Sequence, residues 1–132
     1  MKQQSKWREF ADNPRYWVED LGRPAVFLIP IRKLNKKIGG KTVKSIVYDF
    51  LIQRFNACTI PKSTVTGFWK DSSGEIHKDV CRVYEVSFLG KQRIPFLLER
   101  LAEVASAIHE KGIYVKAGQY TCVVYPRDKK PR

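Results

Sequence analysis

The sequence predicts one α+β domain in which two helices cover one face of a mostly antiparallel sheet. Three observations predict it. The 132 residues fit a single domain. Two segments, near 42–56 and 95–111, carry apolar residues at helical spacing. Between and around them lie short runs of β-branched and aromatic residues bounded by turn signals. A hydrophobic content of 43% is enough to build a packed core rather than a disordered chain.

Residues 1–24 form an N-terminal arm holding Trp7, Phe10, Tyr16, Trp17, Val18 and Leu21. Asn13-Pro14 interrupts it, because proline disfavours helical geometry in the residue before it. Two short helical turns that pack these aromatics on the core are expected. The domain proper then runs from 25 to 125. Residues 25–31, AVFLIPI, are continuously apolar, as in a strand buried on both faces, and Pro30 should end or bend it. Residues 32–44 read as a basic loop with a turn at Gly39-Gly40, and Thr42 is suited to cap the helix that follows. Val43, Ile46, Val47, Phe50, Leu51 and Phe55 line one face of that helix.

Residues 64–71 and 80–88 read as the strands of a hairpin, with an irregular stretch at 75–79. Pro95 suits the first turn of the second helix, whose apolar face is Leu97, Leu98, Leu101, Ala102, Ala105 and Ile108. Gly112 is expected to close it in a left-handed cap. Residues 113–116 and 120–125 are closing strands, and 126–132, PRDKKPR, form a basic tail. The order strand, helix, hairpin, helix, strand is the split β-α-β-β-α-β arrangement of ferredoxin-like folds, here with an N-terminal arm and an extra closing strand.

Charge is the unusual bulk property. Lys and Arg number 25 against 13 acids, a net charge of +12. Such self-repulsion is relieved by a polyanion, so nucleic acid is the expected partner. Arg23, Arg32, Lys33, Lys36, Lys37, Lys41 and Lys44 lie in a stretch with no acid, just before a helix whose N–H groups attract phosphate. A solvated loop is the competing reading. GGKT at 39–42 resembles the end of a P-loop, but Asn35 stands where the first glycine belongs, so nucleotide hydrolysis is not expected. Trp69 and Tyr84 on the hairpin are candidates for stacking on bases, or else for the core or a dimer interface.

Catalytic and metal signals are thin. Cys58, Cys81 and Cys122 form no paired motif and read as small core residues. Of the two histidines, His77 lies among Asp71, Glu75 and Asp79 around one turn, and His109 sits near a helix end. Solvated turn chemistry and a helix-dipole contact account for them. No catalytic residue, metal or cofactor is therefore expected.

Residues 26–31, VFLIPI, resemble the first-strand motif of RNA recognition motif domains in Val26, Phe27 and Leu28, though Pro30 replaces the usual Asn. That family's third-strand motif is absent from Arg82–Val86, and its binding residues do not carry over. The stretch GFWKDSSGEIHKD resembles a hairpin of small bacterial ferredoxin-like domains of unknown function, over about residues 64–125. That resemblance implies a fold and no activity.

The expectation is a non-enzymatic nucleic-acid-binding domain in which Arg32, Lys33, Lys36, Lys37, Lys41 and Lys44 hold phosphates and Trp69 and Tyr84 stack. Two alternatives stay open: a small ligand-binding protein or enzyme of the ferredoxin-like type, and an interaction subunit for an acidic partner. No run is long and apolar enough for a membrane, and the polar start MKQQSKWREF lacks a signal-peptide centre, so a cytoplasmic location is expected. The uncharged segment YTCVVY favours pairing of two copies.

Overall fold

A computed structural model describes residues 6–11, 13–118 and 120–127. The elements are strand β1 (Pro24–Pro30), β2 (Lys37–Ile38), β3 (Lys41–Thr42), helix α1 (Val43–Phe55), β4 (Thr64–Lys70), β5 (Ile76–Ser87), α2 (Ile94–Ala107), β6 (Ile113–Ala117) and β7 (Tyr120–Val124). Five strands form one sheet in the order β4-β5-β1-β6-β7, every neighbouring pair antiparallel. The α+β expectation holds. None of the described helices is long and apolar enough to cross a membrane.

Side chains alternate along a strand, so register decides which residues meet the helices. In β1, Ala25, Phe27 and Ile29 are fully buried, while Val26 and Leu28 between them are partly exposed. The strand is covered on one face, not on both as the unbroken apolar run suggests, because α1 and α2 both contribute to a single core. Pro30 ends β1 as expected.

Helix α1 begins where Thr42 predicts. Its side-chain oxygen accepts the Ser45 N–H at 3.1 Å. Val43, Val47, Leu51 and Phe55 form its buried stripe, one residue every fourth position. Asn56 ends it in the left-handed region, φ 66°.

Four expectations are corrected. The irregular stretch at 75–79 is strand from Ile76 onward, since β5 pairs with β4 through its first half and with β1 through its second. The basic loop is ordered into the small β2–β3 hairpin around Gly39-Gly40, with Leu34 buried beneath it. The left-handed residue after α2 is His109, φ 60°, and not Gly112. The His109 N–H donates to Ser106 O and the Glu110 N–H to Ala105 O, which is the two-bond closure of a Schellman ending. Gly112 serves close packing instead, for a Cβ there would stand 2.6 Å from Val123 Cγ1.

Finally, the arm does not lay its aromatics on the core. Lys6–Phe10 is a single 3-10 turn, and Trp17 is 80% exposed. Phe27, Phe55, Tyr84 and Phe88 already fill the space beneath the helices. At the arm's end, the Phe88 and Leu89 N–H groups donate to Arg23 O and Leu21 O. Residues 1–5 and 128–132, the start of the arm and most of the expected tail, lie outside the described residues.

Candidate functional site

The face of β4 and β5 turned away from the helices carries a connected line of polar groups. Trp69 and His77 are cross-strand partners, and their rings stack at 4.2 Å with 14° between planes. His77 Nε2 lies 2.7 Å from Asp71 Oδ2. On the other side, Trp69 Nε1–H donates to Asp79 Oδ2 at 3.1 Å. Asp79 Oδ1 lies 3.5 Å from Arg32 Nη2, which also donates to Glu110 Oε1 at 3.0 Å. Lys33 Nζ stands 3.9 Å from the same Glu110 oxygen. The line therefore runs from the β4–β5 turn to the end of α2.

Local sequence explains each position. Asp71 heads a turn in which its Oδ1 accepts from Ser73 N–H, Ser73 Oγ–H and Glu75 N–H. The Ser73 hydroxyl first, then His77, hold the Asp71 carboxyl well below the usual carboxylate range. His77 and Asp79 are two residues apart on β5 and so share a face. Arg32 and Lys33 sit in the single 3-10 turn that follows β1, beside the first half of β5. Cys81 continues the His77–Asp79 row but is buried, and burial first, then Asp79, pushes its thiol up to about 11. It is an inert thiol in neutral solution.

Chemically, this line offers an oriented imidazole, one indole and several carboxylates. Asp71, Glu75 and His77 place one potential ligand atom each within 4.8 Å of one another. Yet both Asp71 oxygens are already committed to the turn and to His77, so the trio reads as a satisfied polar corner. A separate shallow cleft of about 330 Å³ lies between the end of α1 and the start of α2, lined by Gln53, Arg54, Gln92, Arg93 and Phe96. Arg93 Nη1 donates to the Arg54 carbonyl there, and the Arg54 guanidinium lies over the Phe96 ring.

The residues expected to hold nucleic acid are not brought together. Tyr84 is only 1% exposed and stacks on Phe27 at 5.1 Å in the core. It faces the helices because register puts it opposite Phe27, so it offers no surface to a base. Arg32 is engaged by two carboxylates. Lys33 Nζ donates to Ile108 O at 2.5 Å, at the negative end of α2. Lys41 faces Asp49 at 3.9 Å. Among the described residues Lys36, Lys37 and Lys44 have no ion pair; Lys37 lies in β2, Lys36 just before it, and Lys44 in the first turn of α1. Of the eight residues, only Trp69 belongs to the polar line's ring pair, and only Arg32 and Lys33 join its other end. The Asp71, Glu75, His77 and Asp79 cluster is visible in the sequence as the D-x-S-x-E-x-H-x-D spacing of 71–79, read there as solvated turn chemistry; its continuation to Arg32 and Glu110 is not.

No family model matches the chain, and no curated protein matches it in sequence. Two solved structures match it in fold. One is a phage SAM lyase in complex with S-methyl-5'-thioadenosine, with a TM-score of 0.57 and 12% identity, covering 89% of this chain and all of that one. The other is a phage SAM lyase in its apo state, with a TM-score of 0.53 and 14% identity, covering 87% of this chain and all of that one. At these identities the likeness establishes the fold. The two matched chains are phage SAM lyases, and with Tyr84 in the core, Arg32 paired with two carboxylates and Lys33 bonded to Ile108 O, the nucleic-acid-binding expectation is overturned.

Proposed function

We propose that this chain is a small-ligand enzyme that cleaves S-adenosylmethionine and holds it against the polar line of β4 and β5. We also read β4-β5-β1-β6 with α1 and α2 as a ferredoxin-like core, with β7 as the added closing strand. One observation carries the functional reading: the fold shared over 89% of this chain and the whole of a lyase bound to S-methyl-5'-thioadenosine.

Charge supports it. S-adenosylmethionine brings a sulfonium and an ammonium group, so its site needs acids, which are scarce in a +12 chain. Asp71, Glu75, Asp79 and Glu110 gather along the one line. An indole beside them suits both an adenine face and a sulfonium, by stacking and by cation–π attraction.

The chemistry balances without a cofactor. When the bond from the sulfonium sulfur to the amino-acid γ-carbon breaks, its electron pair stays on sulfur and the neutral thioether leaves. The four-carbon fragment then either closes on its own carboxylate oxygen or loses a β-proton. The first route asks the protein only to fold the substrate so that carboxylate and γ-carbon meet. The second asks for a base, and His77, oriented by Asp71, is placed to be one.

Incubating the purified chain with S-adenosylmethionine tests the reading. S-methyl-5'-thioadenosine should accumulate, detected by chromatography and mass spectrometry. Trp69→Ala should raise KM roughly 5- to 150-fold, since base–aromatic stacking contributes ~1–3 kcal/mol. No product together with no calorimetric binding of S-adenosylmethionine would remove the proposal.

A further inference from the structure

We propose that β7 is a dimerisation edge at which two copies of this chain pair antiparallel about a twofold axis through Cys122. The pairing would join the two five-stranded sheets into one continuous sheet.

β7 ends the sheet on one side and β4 on the other. Edge strands present unpaired N–H and C=O groups, and proteins blunt them with charge, proline or bulges. Tyr120–Val124, YTCVV, carries none of these in a chain of net charge +12. β4 is blunted, with Lys70 at its end and Gly67 at its middle. Tyr120 is 63% exposed and Cys122 is exposed, and among the described residues β6 is the one strand that pairs with β7, which leaves its outer edge open.

Register makes the edge self-complementary. Ala117 pairs with Tyr120 across two intervening residues, which makes it the hydrogen-bonded closing pair of a two-residue hairpin. Bonded and non-bonded pairs alternate, so Val115–Cys122 is bonded, while Lys116–Thr121 and Tyr114–Val123 are not. Thr121 and Val123 therefore point their backbone N–H and C=O groups away from β6. Symmetric pairing about Cys122 sets Thr121 against Val123 of the second copy, and the converse, which satisfies all four groups on each strand. Tyr120 meets Val124, an aromatic against a β-branched residue, and no like charges face one another.

Cys122 meets its own copy in a non-hydrogen-bonded pair. The two Cα atoms then lie about 4.5 Å apart, inside the range that a disulfide spans. A mild oxidant should therefore trap the dimer through Cys122, and not through the buried Cys81.

Sedimentation and light scattering across the micromolar range test the proposal, with peptide mapping of the oxidised species. The wild type should show a concentration-dependent dimer and a Cys122–Cys122 crosslink. Val123→Pro removes an outward N–H that the monomer does not use, and proline is tolerated on such an edge, so the chain should fold and be monomeric. Cys122→Lys should do the same by setting like charges opposite one another. Cys122→Lys alone decides if Val123→Pro fails to fold. A wild type that is monomeric throughout, a dimer that survives either folded variant, or a crosslink that maps to Cys58 or Cys81 would overturn the proposal.

Discussion

Replacing Tyr84 separates a core residue from a surface reader most directly. The ring is 1% exposed, stacked on Phe27, and surrounded by the apolar residues of α1, α2 and the sheet. Tyr84→Ala deletes it and leaves a cavity the packed neighbours cannot close, a cost of about 3–5 kcal/mol. For 132 residues the unfolding entropy is about 0.28 kcal/mol per kelvin, so the melting temperature should fall by roughly 10–18 °C. Tyr84→Phe keeps the stack and should stay within about 1 kcal/mol of the wild type. Differential scanning calorimetry reads both. A Tyr84→Ala variant melting within about 3 °C of the wild type would refute the core assignment.

The same side chain makes stability fall in alkali. Burial pushes the Tyr84 phenol up from its ordinary 10.0 to about 12. Between those values the unfolded chain has released a proton that the folded chain still holds. The unfolded state then binds fewer protons, and stability drops as pH rises. The two-unit gap amounts to ~2.7 kcal/mol, present below pH 10 and lost by about pH 12. Cys81 loses stability in the same direction from a lower starting point, since its thiol moves from 9.0 to about 11. Tyr84→Phe should remove the upper part of this alkaline decline and leave the Cys81 part.

Three further outcomes follow from contacts elsewhere. Lys33→Ala should cost roughly 1.5–3 kcal/mol in a denaturant titration, because it deletes a charged bond to the end of α2; Lys36→Ala and Lys37→Ala should each stay within about 0.5 kcal/mol. Asp71→Asn should flatten the acid limb of stability: the depressed carboxyl contributes above its unfolded pKa of about 3.9, and the contribution is lost as pH falls below that value, which urea midpoints at descending pH will show. His109→Gly should gain about 0.5–1 kcal/mol by relieving its left-handed backbone, while Gly112→Ala should lose about 1–3 kcal/mol as its Cβ meets Val123, both read from denaturant midpoints.

What could be read from the sequence was what repeats locally. The stripe Val43, Val47, Leu51, Phe55 recurs at a helical interval, and Thr42 and Pro95 mark helix starts by chemistry that acts within one turn. The hairpin announces itself through β-branched residues on both sides of Ser72-Ser73-Gly74. What could not be read depends on register. Tyr84 and Glu85 differ by one position on β5, yet one is core and the other exposed, and only the pairing with β1 decides which. The same limit hid the polar line. Arg32 and Glu110 are 78 residues apart, and Lys33 and Ile108 are 75 apart, so no window of sequence shows that these cations are spent on α2. A stretch of lysines read alone invites a polyanion; read with its partners, part of it becomes the brace that holds β1 to the end of α2. Net charge therefore describes this protein's long-range field and does not show where its acids gather. The few acids of a basic chain were the better guide, because acids kept together against so large a positive excess are where a cationic ligand would be bound.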